Sequence, residues 1–565
     1  MILTALPPSP SFDANFAPRL PLPLGVAGVE CAQQIVDLAD QIQRHRFPIL
    51  AGTIDAGPDI HWRRDYPRGI ETGLAYFRCI PYLDAARAGD HKTVWELNRH
   101  EHLIVLAQAY LLTGDQRHLD EIRAQLESWM AGNPFHRGTN WASALEVAFR
   151  ALSWIGVYHL VGREMPREFR EGWLHMLYLH GCHLANNLSF YFSPNNHLVG
   201  EALVLHALGR FFAGVPRAAR WEQLGARVMR EQMNRQIRAD GSSFEQSTYY
   251  QVYLLDMFRL HAGLAAPGPE YLAKLERMAE FVHAVAGPSR LPPMLGDDDG
   301  GRLPLGSSRC LVGAGKWESK LFRDAGIAVM TCGEIHAVVD AGPFGALHSG
   351  HSHSDTLSIV VRSGGEEILI DPGTYTYTGE PEWRDWFRGS SAHNTIRIDR
   401  RDQAVMAGPF KWTGRPEVAI LDWQTNSTRD ILKAECRYAG FTHHRRVEFQ
   451  KPDIFLIVDI VSGPPGEHEI EQFWHLGSLA ARARLVLPAD AELTESWRSR
   501  TFGEKHPSPM LRVHRRCTLP LVLETRVELT PAPSRSRFSH ARHRTAHATE
   551  PRAPAHRAPP HRAGY

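Results

Sequence analysis

Apolar residues between about residue 90 and residue 286 recur at steps of three and four. In the stretch TVWELNRHEHLIVLAQAYLLTGD, Leu97, Leu103, Leu106 and Tyr110 follow this spacing, and Gly114 ends it. Such a spacing places apolar side chains on one face of an α-helix. Similar stretches are HLDEIRAQLESWM, SALEVAFRALSWIGVYHLV, REGWLHMLYLHGCHLANNL, HLVGEALVLHALGRFF, WEQLGARVMREQMNRQI, YYQVYLLDMFRLHAGL and EYLAKLERMAEFVHAVA. The pattern predicts about six to eight helices joined by short turns. Serial helix pairs of this kind favour an α/α toroid, with a plain helical bundle as the alternative.

The period of the apolar pattern shortens after the segment GPSRLPP, which begins at Gly287. From about residue 325, the runs typical of β-strands are IAVMTCG, IHAVVDAG, TLSIVVRSGGEEILIDPG, HNTIRID, HHRRVEF, IFLIVDIV and EIEQFWHLG. Ser363, Gly364 and Gly365 lie between two apolar runs and indicate a hairpin. Many strands without intervening helices predict an antiparallel β-sandwich. The predicted fold class is therefore α + β and multidomain, with an N-terminal α/α toroid followed by a C-terminal antiparallel β-sandwich.

These patterns divide the chain into four segments. Residues 1–85 are rich in proline, and we predict an irregular N-terminal segment there. The toroid is predicted over residues 86–315 and the sandwich over residues 325–530. Residues 531–565 are a low-complexity run of Pro, Ala, Arg and His that cannot bury a core, so we expect a disordered basic tail.

Composition narrows the class of protein. The 565 residues are 43% hydrophobic and 22% charged, as in soluble globular proteins. The 63 basic and 62 acidic residues nearly cancel, so net charge indicates no nucleic-acid partner. No uninterrupted apolar run approaches the ~18–20 residues expected of a transmembrane helix. The start of the chain lacks the basic region of a secretory signal. The sequence as given therefore predicts a cytoplasmic protein, or a periplasmic or secreted one if the true start lies upstream.

A histidine-rich segment, HSGHSHSD at residues 348–355, is the densest group of potential ligands. His351 and His353 alternate, so they share one face on an extended backbone. Asp371 ends the next predicted strand, and His393 begins another. Two imidazoles and a carboxylate from neighbouring strands are typical zinc ligands, so the pattern predicts a metal site. Solvated histidines in a Gly/Ser turn are the alternative interpretation.

Two motifs in the helical half place polar groups at the predicted starts of helices. SPNNHLVGE brings Asn195, Asn196 and His197 to a helix N-terminus, which favours an anionic group. Asn before an apolar run is also an ordinary helix cap. DGSSFEQSTYYQVY places Tyr249 and Tyr250 in the first turns of an aromatic-rich helix, where tyrosines are more often packing residues than acids.

A third motif, NWASALEVAFR, starts at Asn140 and Trp141. These two residues could line a sugar-binding cleft, because the flat faces of tryptophan stack well on sugar rings. Glu146 and Arg150 in the same motif are four residues apart, and an ion pair within one helix is the simpler interpretation.

Taken in order, the motifs resemble the heparinase II/III-like polysaccharide lyases, which include heparinase III-type enzymes and alginate lyases. The matching segments span about residues 59–480 and are WELNRHEHL, NWASALEVAFRALSW, NNHLVGEAL, DGSSFEQSTYYQVYLLD, GDDDGGR, HSGHSHSDTLS, ILIDPGTY and SAHNT. The resemblance implies an active site in the cleft between toroid and sandwich, and β-elimination at a uronic acid. The C5 proton is abstracted and the 4-linked sugar leaves, which gives a 4,5-unsaturated uronate. The expected partner is an anionic polysaccharide or oligosaccharide substrate.

The resemblance also implies roles for individual residues. Asn196 is expected to neutralise the substrate carboxylate, with His197 beside it as helper or alternative base. Tyr250 matches the catalytic tyrosine of the family, and Tyr249 is the alternative. His351 matches the catalytic histidine. Substrate-binding residues are expected to include Asn140, Trp141, Glu146 and Tyr249.

The metal that the resemblance implies is one structural zinc ion, held by His353, Asp371 and His393. This ion would brace the strands that present the catalytic histidine and would not activate the substrate. A non-catalytic carbohydrate-binding or exopolysaccharide-assembly protein on the same scaffold is the alternative function. A glycoside hydrolase would need two carboxylates flanking the bond, and neither Asp297–Asp299 nor Glu146 completes such a pair.

Overall fold

The computed structural model describes Pro10 and residues 29–304, 315–478 and 480–529. The predicted basic tail lies outside the described residues. The described helices are α1 Val29–Ile42, α2 Ala85–Ala88, α3 His91–Asn98, α4 Glu101–Thr113, α5 Gln116–Gly132, α6 Ala144–Val161, α7 Arg167–Asn187, α8 Asn196–Phe211, α9 Ala218–Gln236, α10 Thr248–Ala265, α11 Pro269–Ala286 and α12 Pro381–Arg388.

Within the described residues, strands form three short hairpins and three larger antiparallel sheets. The strands before the helical region, and those that follow it up to residue 413, are β1 Arg46–Ile49, β2 Gly52–Asp55, β3 Arg64–Asp65, β4 Ile70–Glu71, β5 Lys320–Phe322, β6 Ile327–Cys332, β7 Ile335–Asp340, β8 Ile359–Ser363, β9 Glu366–Leu369, β10 Ile396–Ile398, β11 Val405–Met406 and β12 Trp412–Thr413. The remaining strands are β13 Glu417–Thr425, β14 Arg429–Tyr438, β15 Phe441–Gln450, β16 Ile454–Ser462, β17 Glu467–His475, β18 Ala483–Val486, β19 Ala491–Thr501, β20 Glu504–Thr518 and β21 Leu521–Leu529.

Alternate helices of the N-terminal part lie in two rows. Helices α4, α6, α8 and α10 contact one another in turn, and α5, α7, α9 and α11 pack against them. Helices α6 and α8 are buried around most of their circumference, whereas α9 buries one face and exposes the other. A helix that is apolar on all sides belongs inside, and an amphipathic one belongs at the surface. This arrangement is the predicted α/α toroid.

Helix α6 and the turn after it, Ala144–Glu164, are long and apolar enough to cross a membrane by length and composition. In this fold 89% of that apolar window is buried inside the protein. The burial is that of a core helix, which α4, α7 and α8 surround.

The N-terminal segment differs from the prediction, because part of it is helical. Helix α1 lies within the stretch that we predicted to be irregular. Its Ile35, Leu38, Ala39 and Ile42 recur at helical spacing and pack against the toroid core beside α4. The proline content of the flanking sequence obscured this amphipathic pattern.

The first apolar pattern of the toroid is divided into two helices, α3 and α4. His100 separates them with a φ of 58°, in the left-handed region where α-helical hydrogen bonding is interrupted. The fully buried imidazole accepts a hydrogen bond through Nδ1 from Trp154 Nε1 at 2.8 Å. Tertiary packing against α6 therefore holds a break that helical periodicity alone does not predict.

The C-terminal part has sheets of five, four and six strands. Their orders are β5-β6-β7-β8-β9, β10-β17-β20-β19 and β13-β14-β15-β16-β21-β18. Strands β8 and β9 form the predicted hairpin, in which Ser363 pairs with Glu366 around two glycines of positive φ. One apolar core takes side chains from all three sheets, as the sandwich prediction requires.

Loops of the helical part dock on the start of the sheet region. Gln246, in the loop before α10, donates through Nε2 to the Ala325 carbonyl at 2.9 Å. The Ala346 amide donates to the Phe244 carbonyl, and the Asp297 amide donates to the His351 carbonyl, both at 2.9 Å. These contacts place the histidine-rich segment directly against the N-terminus of α10.

Candidate active site

The predicted tyrosine and histidine meet at this junction. Ser247 caps α10 by accepting the Tyr250 amide at 3.1 Å, which directs the tyrosine from the first turn toward the sheet region. The Tyr250 ring stacks on the His351 imidazole, with ring centroids 3.7 Å apart and planes inclined by 24°. Tyr250 and His351 are 101 positions apart in the sequence numbering, and the structure brings them into direct contact.

The hydroxyl of Tyr250 lies among acceptors. It donates to Asp299 Oδ2 at 3.2 Å and is 3.1 Å from the Tyr377 hydroxyl. Burial, followed by the nearby Asp299 carboxylate, raises the pKa of Tyr250 well above its ordinary value. In the free protein this hydroxyl is therefore protonated and is a proton donor.

Asp297 connects two of the three histidines of the histidine-rich segment, His351 and His353. Its Oδ2 is 3.1 Å from His351 Nδ1, and its Oδ1 is 2.9 Å from His353 Nε2. Arg384 forms a bidentate ion pair with the same carboxylate, in which Nη2 is 2.8 Å from Oδ2. Burial alone would raise the pKa of Asp297, but Arg384 and the imidazoles lower it well below its ordinary value. An ionised Asp297 accepts Nδ1–H of His351 and leaves the lone pair on Nε2.

A second carboxylate, that of Glu245, bonds Asn196 and lies near His351. Glu245 accepts the Asn196 amide N–H at 3.0 Å and its side-chain Nδ2 at 2.8 Å. Its Oε2 is also 3.5 Å from His351 Nε2. A side-chain amide carries two N–H groups, so Asn196 keeps one donor beyond the bond to Glu245.

His197 follows Asn196 in the first turn of α8, where the Asn195 side chain caps the helix by accepting the His197 amide at 3.2 Å. Asn195 thus has the ordinary capping role, and the two residues after it face the junction. Burial lowers the pKa of His197 to about 4, so its imidazole is neutral near pH 7.

A chain of buried ion pairs extends from Asp299 into the toroid. Lys92 Nζ is 2.9 Å from Asp299 Oδ2 and 2.6 Å from Glu96 Oε1. Arg99 Nη1 is 2.6 Å from Glu96 Oε1, and Arg99 also holds Glu146 through two bonds of 2.7 and 2.9 Å. Burial opposes ionisation of Asp299, but Lys92 and Arg99 lower the pKa of this carboxyl below its ordinary value.

Three residues that we predicted to bind substrate or to pair locally have other contacts. The prediction that Glu146 pairs with Arg150 is wrong, because Glu146 pairs with Arg99. Asn140 and Trp141 are fully buried, so the prediction that they line a sugar-binding cleft is also wrong. Asn140 Nδ2 donates to Asn133 Oδ1 at 2.8 Å, and Trp141 Nε1 donates to the Asn133 carbonyl at 3.2 Å. Packing between helices therefore buries the side chains that we predicted to contact sugars.

The structure distinguishes the two adjacent tyrosines. Tyr249 is partly buried, and its hydroxyl has no hydrogen-bond partner in the part of the chain that the structure describes. Its ring stacks on Tyr253 at 5.9 Å and contacts the edge of Tyr250 at 5.5 Å. Of the two tyrosines, Tyr250 is the one in contact with His351 and Asp299.

His353, Asp371 and His393 come together as a buried group that could hold a metal ion. Each offers one ligand atom, and these atoms lie within 4.8 Å of one another. His353 Nδ1 and His393 Nε2 are buried without a hydrogen-bond partner among the described residues, whereas His393 Nδ1 is 2.8 Å from Asp371 Oδ2. Orphaned buried imidazole nitrogens are costly unless a ligand satisfies them, so the donor set fits a metal.

Sequence reasoning missed several residues that organise the junction. Glu245, Lys92 and Arg384 were not singled out, and Asp297 and Asp299 were considered only as acids of a hydrolase. The signals were present in the segments FEQS and GDDDGGR, but their partners lie far away in sequence. Only the tertiary structure shows that Asp299 bonds Tyr250 and that Asp297 bonds His351 and His353.

Comparison with known proteins agrees with this arrangement. The family model described as "Heparinase II/III N-terminus" matches residues 26–302, and "Heparinase II/III-like, C-terminal" matches residues 314–517. A heparin-sulfate lyase of Bacteroides stercoris is 24% identical over 488 residues, covering 75% of this chain and 68% of the relative. A heparin-sulfate lyase of Pedobacter heparinus is 24% identical over 481 residues, covering 76% of this chain and 66% of the relative. The chain thus spans about two thirds of the length of these relatives.

Solved structures share the fold. A crystal structure of heparinase III superposes with a TM-score of 0.71 at 16% identity, covering 94% of this chain and 88% of that one. A heparan sulfate lyase mutant from Pedobacter heparinus gives a TM-score of 0.59 at 19% identity, covering 90% and 84%. The two family models together span most of the chain, which therefore belongs to the heparinase II/III-like family of polysaccharide lyases.

Proposed function

We propose that this protein cleaves a uronic-acid-containing polysaccharide by β-elimination at the junction of toroid and sandwich. Its family makes it a carbon–oxygen lyase that acts on polysaccharides. The observation that carries the site assignment is the contact of Tyr250 with His351, beside the Asn196–Glu245 pair. Because the curated relatives act on heparin sulfate, we propose a heparan-type glycan as substrate.

Acidity at C5 is the chemical problem that such a site must solve. The C5 proton lies next to an ionised carboxylate, and its removal adds a second negative charge to that group. Hydrogen-bond donors placed where the charge develops lower this barrier, typically by several kcal/mol. The remaining N–H of the Asn196 side chain would donate to the substrate carboxylate, with His197 next to it as a second neutral polar group.

Proton transfer is assigned from the hydrogen bonds of the free protein. His351, with Nδ1–H donating to Asp297, presents its Nε2 lone pair and takes the C5 proton. The electron pair of the C5–H bond forms the C4=C5 double bond, and the C4–O bond breaks. Tyr250, which is protonated, donates its hydroxyl proton to the leaving oxygen. Asp299 holds that hydroxyl in place before the transfer.

We propose zinc as the ion at His353, Asp371 and His393, because two imidazoles and a carboxylate are a zinc-type donor set. When bound, zinc would contribute structural bracing and no redox chemistry. Asp297 would then link this site to the catalytic pair, since it bonds His353 on one oxygen and His351 on the other. Arg384 keeps Asp297 ionised for both tasks.

The test is formation of the conjugated unsaturated uronate, measured by ultraviolet absorbance with a panel of glycans. The panel contains heparan sulfate, hyaluronan, chondroitin, alginate and bacterial exopolysaccharides. We expect product from heparan sulfate, with loss of at least about 10²-fold in kcat for Tyr250→Phe and for His351→Ala. Tyr249→Phe is the matched control, because its hydroxyl has no bond to lose among the described residues.

Full activity in Tyr250→Phe would contradict the assignment of the acid. A folded wild-type protein that binds glycans but releases no unsaturated product from any of them would contradict the lyase proposal. That outcome would favour the non-catalytic carbohydrate-binding alternative.

A further inference from the structure

An exposed aromatic loop lies immediately before the site. The loop between α7 and α8, residues 188–195, presents three consecutive aromatic side chains to solvent. Phe190 is 41% exposed, Phe192 is 65% exposed, and Tyr191 is 99% exposed. Soluble proteins seldom leave neighbouring large apolar side chains in water, and such patches usually mark a binding surface.

Hydrogen bonds hold both ends of the loop. Ser189 donates through its amide and its hydroxyl to the buried Glu201 carboxyl, at 2.7 and 2.6 Å. Gln236 Nε2 holds the other end by donating to the Asn195 carbonyl at 3.0 Å. Anchored ends with projecting rings are an arrangement that preorganises a binding surface, because ordering the loop costs little when a ligand binds.

The loop lies a short distance along the chain from Asn196 of the candidate active site. Tyr191 is five residues before Asn196, and a chain spans at most ~3.3–3.6 Å per residue, so the ring lies within about 18 Å of the Asn196 backbone plus side-chain reach. The loop leads directly into the helix turn that presents Asn196 and His197. A polymer held at the catalytic residues would extend over a distance of this order.

A cation lies at the end of α7, where the aromatic loop begins. Arg78 is exposed, and its Nη2 donates to Asn187 Oδ1, the last residue of α7, at 2.9 Å. In the described residues no carboxylate forms an ion pair with Arg78. A guanidinium without an acidic partner suits a carboxylate or sulfate group, and aromatic rings suit the apolar faces of sugars.

We propose that Phe190, Tyr191, Phe192 and Arg78 form a glycan subsite, which binds sugar residues of an anionic polysaccharide beyond those at the catalytic residues. The proposal rests on the proposed function, because it takes the occupant to be the same polymer. The arguments for that occupant are the short chain distance to Asn196 and the unpaired positive charge of Arg78, which complements an acidic glycan.

The kinetic test compares a long and a short substrate. In the Tyr191→Ala/Phe192→Ala double variant, we expect KM for heparan sulfate chains to rise about 10-fold, since each aromatic contact contributes a few-fold in affinity. For a heparan sulfate tetrasaccharide the rise is much smaller, because a short chain occupies the catalytic residues without reaching the loop. Leu493→Ala, at a leucine 69% exposed on β19, is the control for loss of exposed apolar surface.

A binding measurement separates this proposal from the lyase proposal. Calorimetry with heparan sulfate on the Tyr250→Phe background, which needs no turnover, should show weaker binding when Tyr191 and Phe192 are removed. Arg78→Gln should weaken binding and reduce its dependence on salt. Unchanged affinity and unchanged KM in the double variant would overturn the subsite. A double variant that binds glycan normally but changes its sedimentation would overturn it too, and would make the loop a contact between copies of the chain.

Discussion

Replacing Lys92 by methionine tests the role of the buried ion pairs behind Tyr250. Methionine preserves most of the length of the side chain but removes the charge between Asp299 and Glu96. Lys92 contacts both carboxylates at less than 3 Å, and its side chain is 9% exposed, against 13% for each partner. The variant therefore leaves two largely buried carboxylates without their shared cation.

The expected loss follows from that burial. Removing one partner of a buried ion pair costs about 3–5 kcal/mol, because the other charge stays desolvated. Arg99 still contacts Glu96 at 2.6 Å, so we expect the lower end, about 3 kcal/mol of unfolding free energy at pH 7. For activity, a charge-assisted hydrogen bond contributes about 1.5–3 kcal/mol, so misplacement of the Tyr250 hydroxyl predicts a kcat lower by about 10- to 150-fold.

The sign of the pH dependence is fixed by the lowered pKa of Asp299 in the wild-type protein. A carboxyl with a depressed folded pKa stabilises the protein above its unfolded pKa, and this stabilisation is lost as pH falls through the folded value. Without Lys92, the largest contribution that opposes burial is lost, so we expect the pKa of Asp299 to rise. The stability gap between wild type and Lys92→Met should thus be large at pH 7 and shrink as pH falls below about 4.

The assay is thermal and urea unfolding followed by circular dichroism at pH 7 and at about pH 3, below the ordinary pKa of an aspartate, with initial lyase rates measured at pH 7. Lys433→Met is the matched control, because Lys433 is 46% exposed and its pair with Asp422 is a surface ion pair, which contributes little to stability. The double variant Lys92→Met/Asp299→Asn should recover part of the lost stability. Equal stability of Lys92→Met and Lys433→Met at pH 7, or no recovery in the double variant, would refute the reasoning.

Three further predictions address other parts of the site. Burial raises the pKa of Glu201 to about 8. Ionisation of this buried carboxyl therefore lowers the stability of the protein as pH rises from about 4.5 to about 8. Glu201→Gln should have a higher unfolding temperature than wild type at pH 8 but not at pH 5. Glu245→Gln should lower kcat by about 10-fold or more with little change in unfolding temperature. The reason is that Asn196 loses a charge-assisted hydrogen bond that orients its side-chain amide. An unchanged kcat would be inconsistent with that role. Removal of metal with a chelator should lower the unfolding temperature and Zn²⁺ should restore it, whereas His393→Ala should show neither response.

Much of the architecture was determined by local pattern. The three- and four-residue steps of the helical half and the short alternating runs of the second half depend only on which side chains avoid water, and both halves fold as predicted. The hairpin at Gly364 and the caps at Asn195 and Ser247 are equally local, since their geometry depends on the residue itself and its nearest neighbours. For the same reason the histidine-rich segment could be recognised as chemically important from its spacing.

Tertiary structure decided which polar groups meet. Asp297 serves His351 and His353 only because the loop after the toroid docks on the sheet region, a contact that no periodicity encodes. Long-range packing also buried Trp141, which sequence reasoning placed at a sugar, and exchanged the expected local partner of Glu146 for Arg99. The physical reason is that a buried charge is stable only beside an opposite charge, and the tertiary structure decides which one is close enough. An apolar side chain needs only to be removed from water, which the local pattern already indicates.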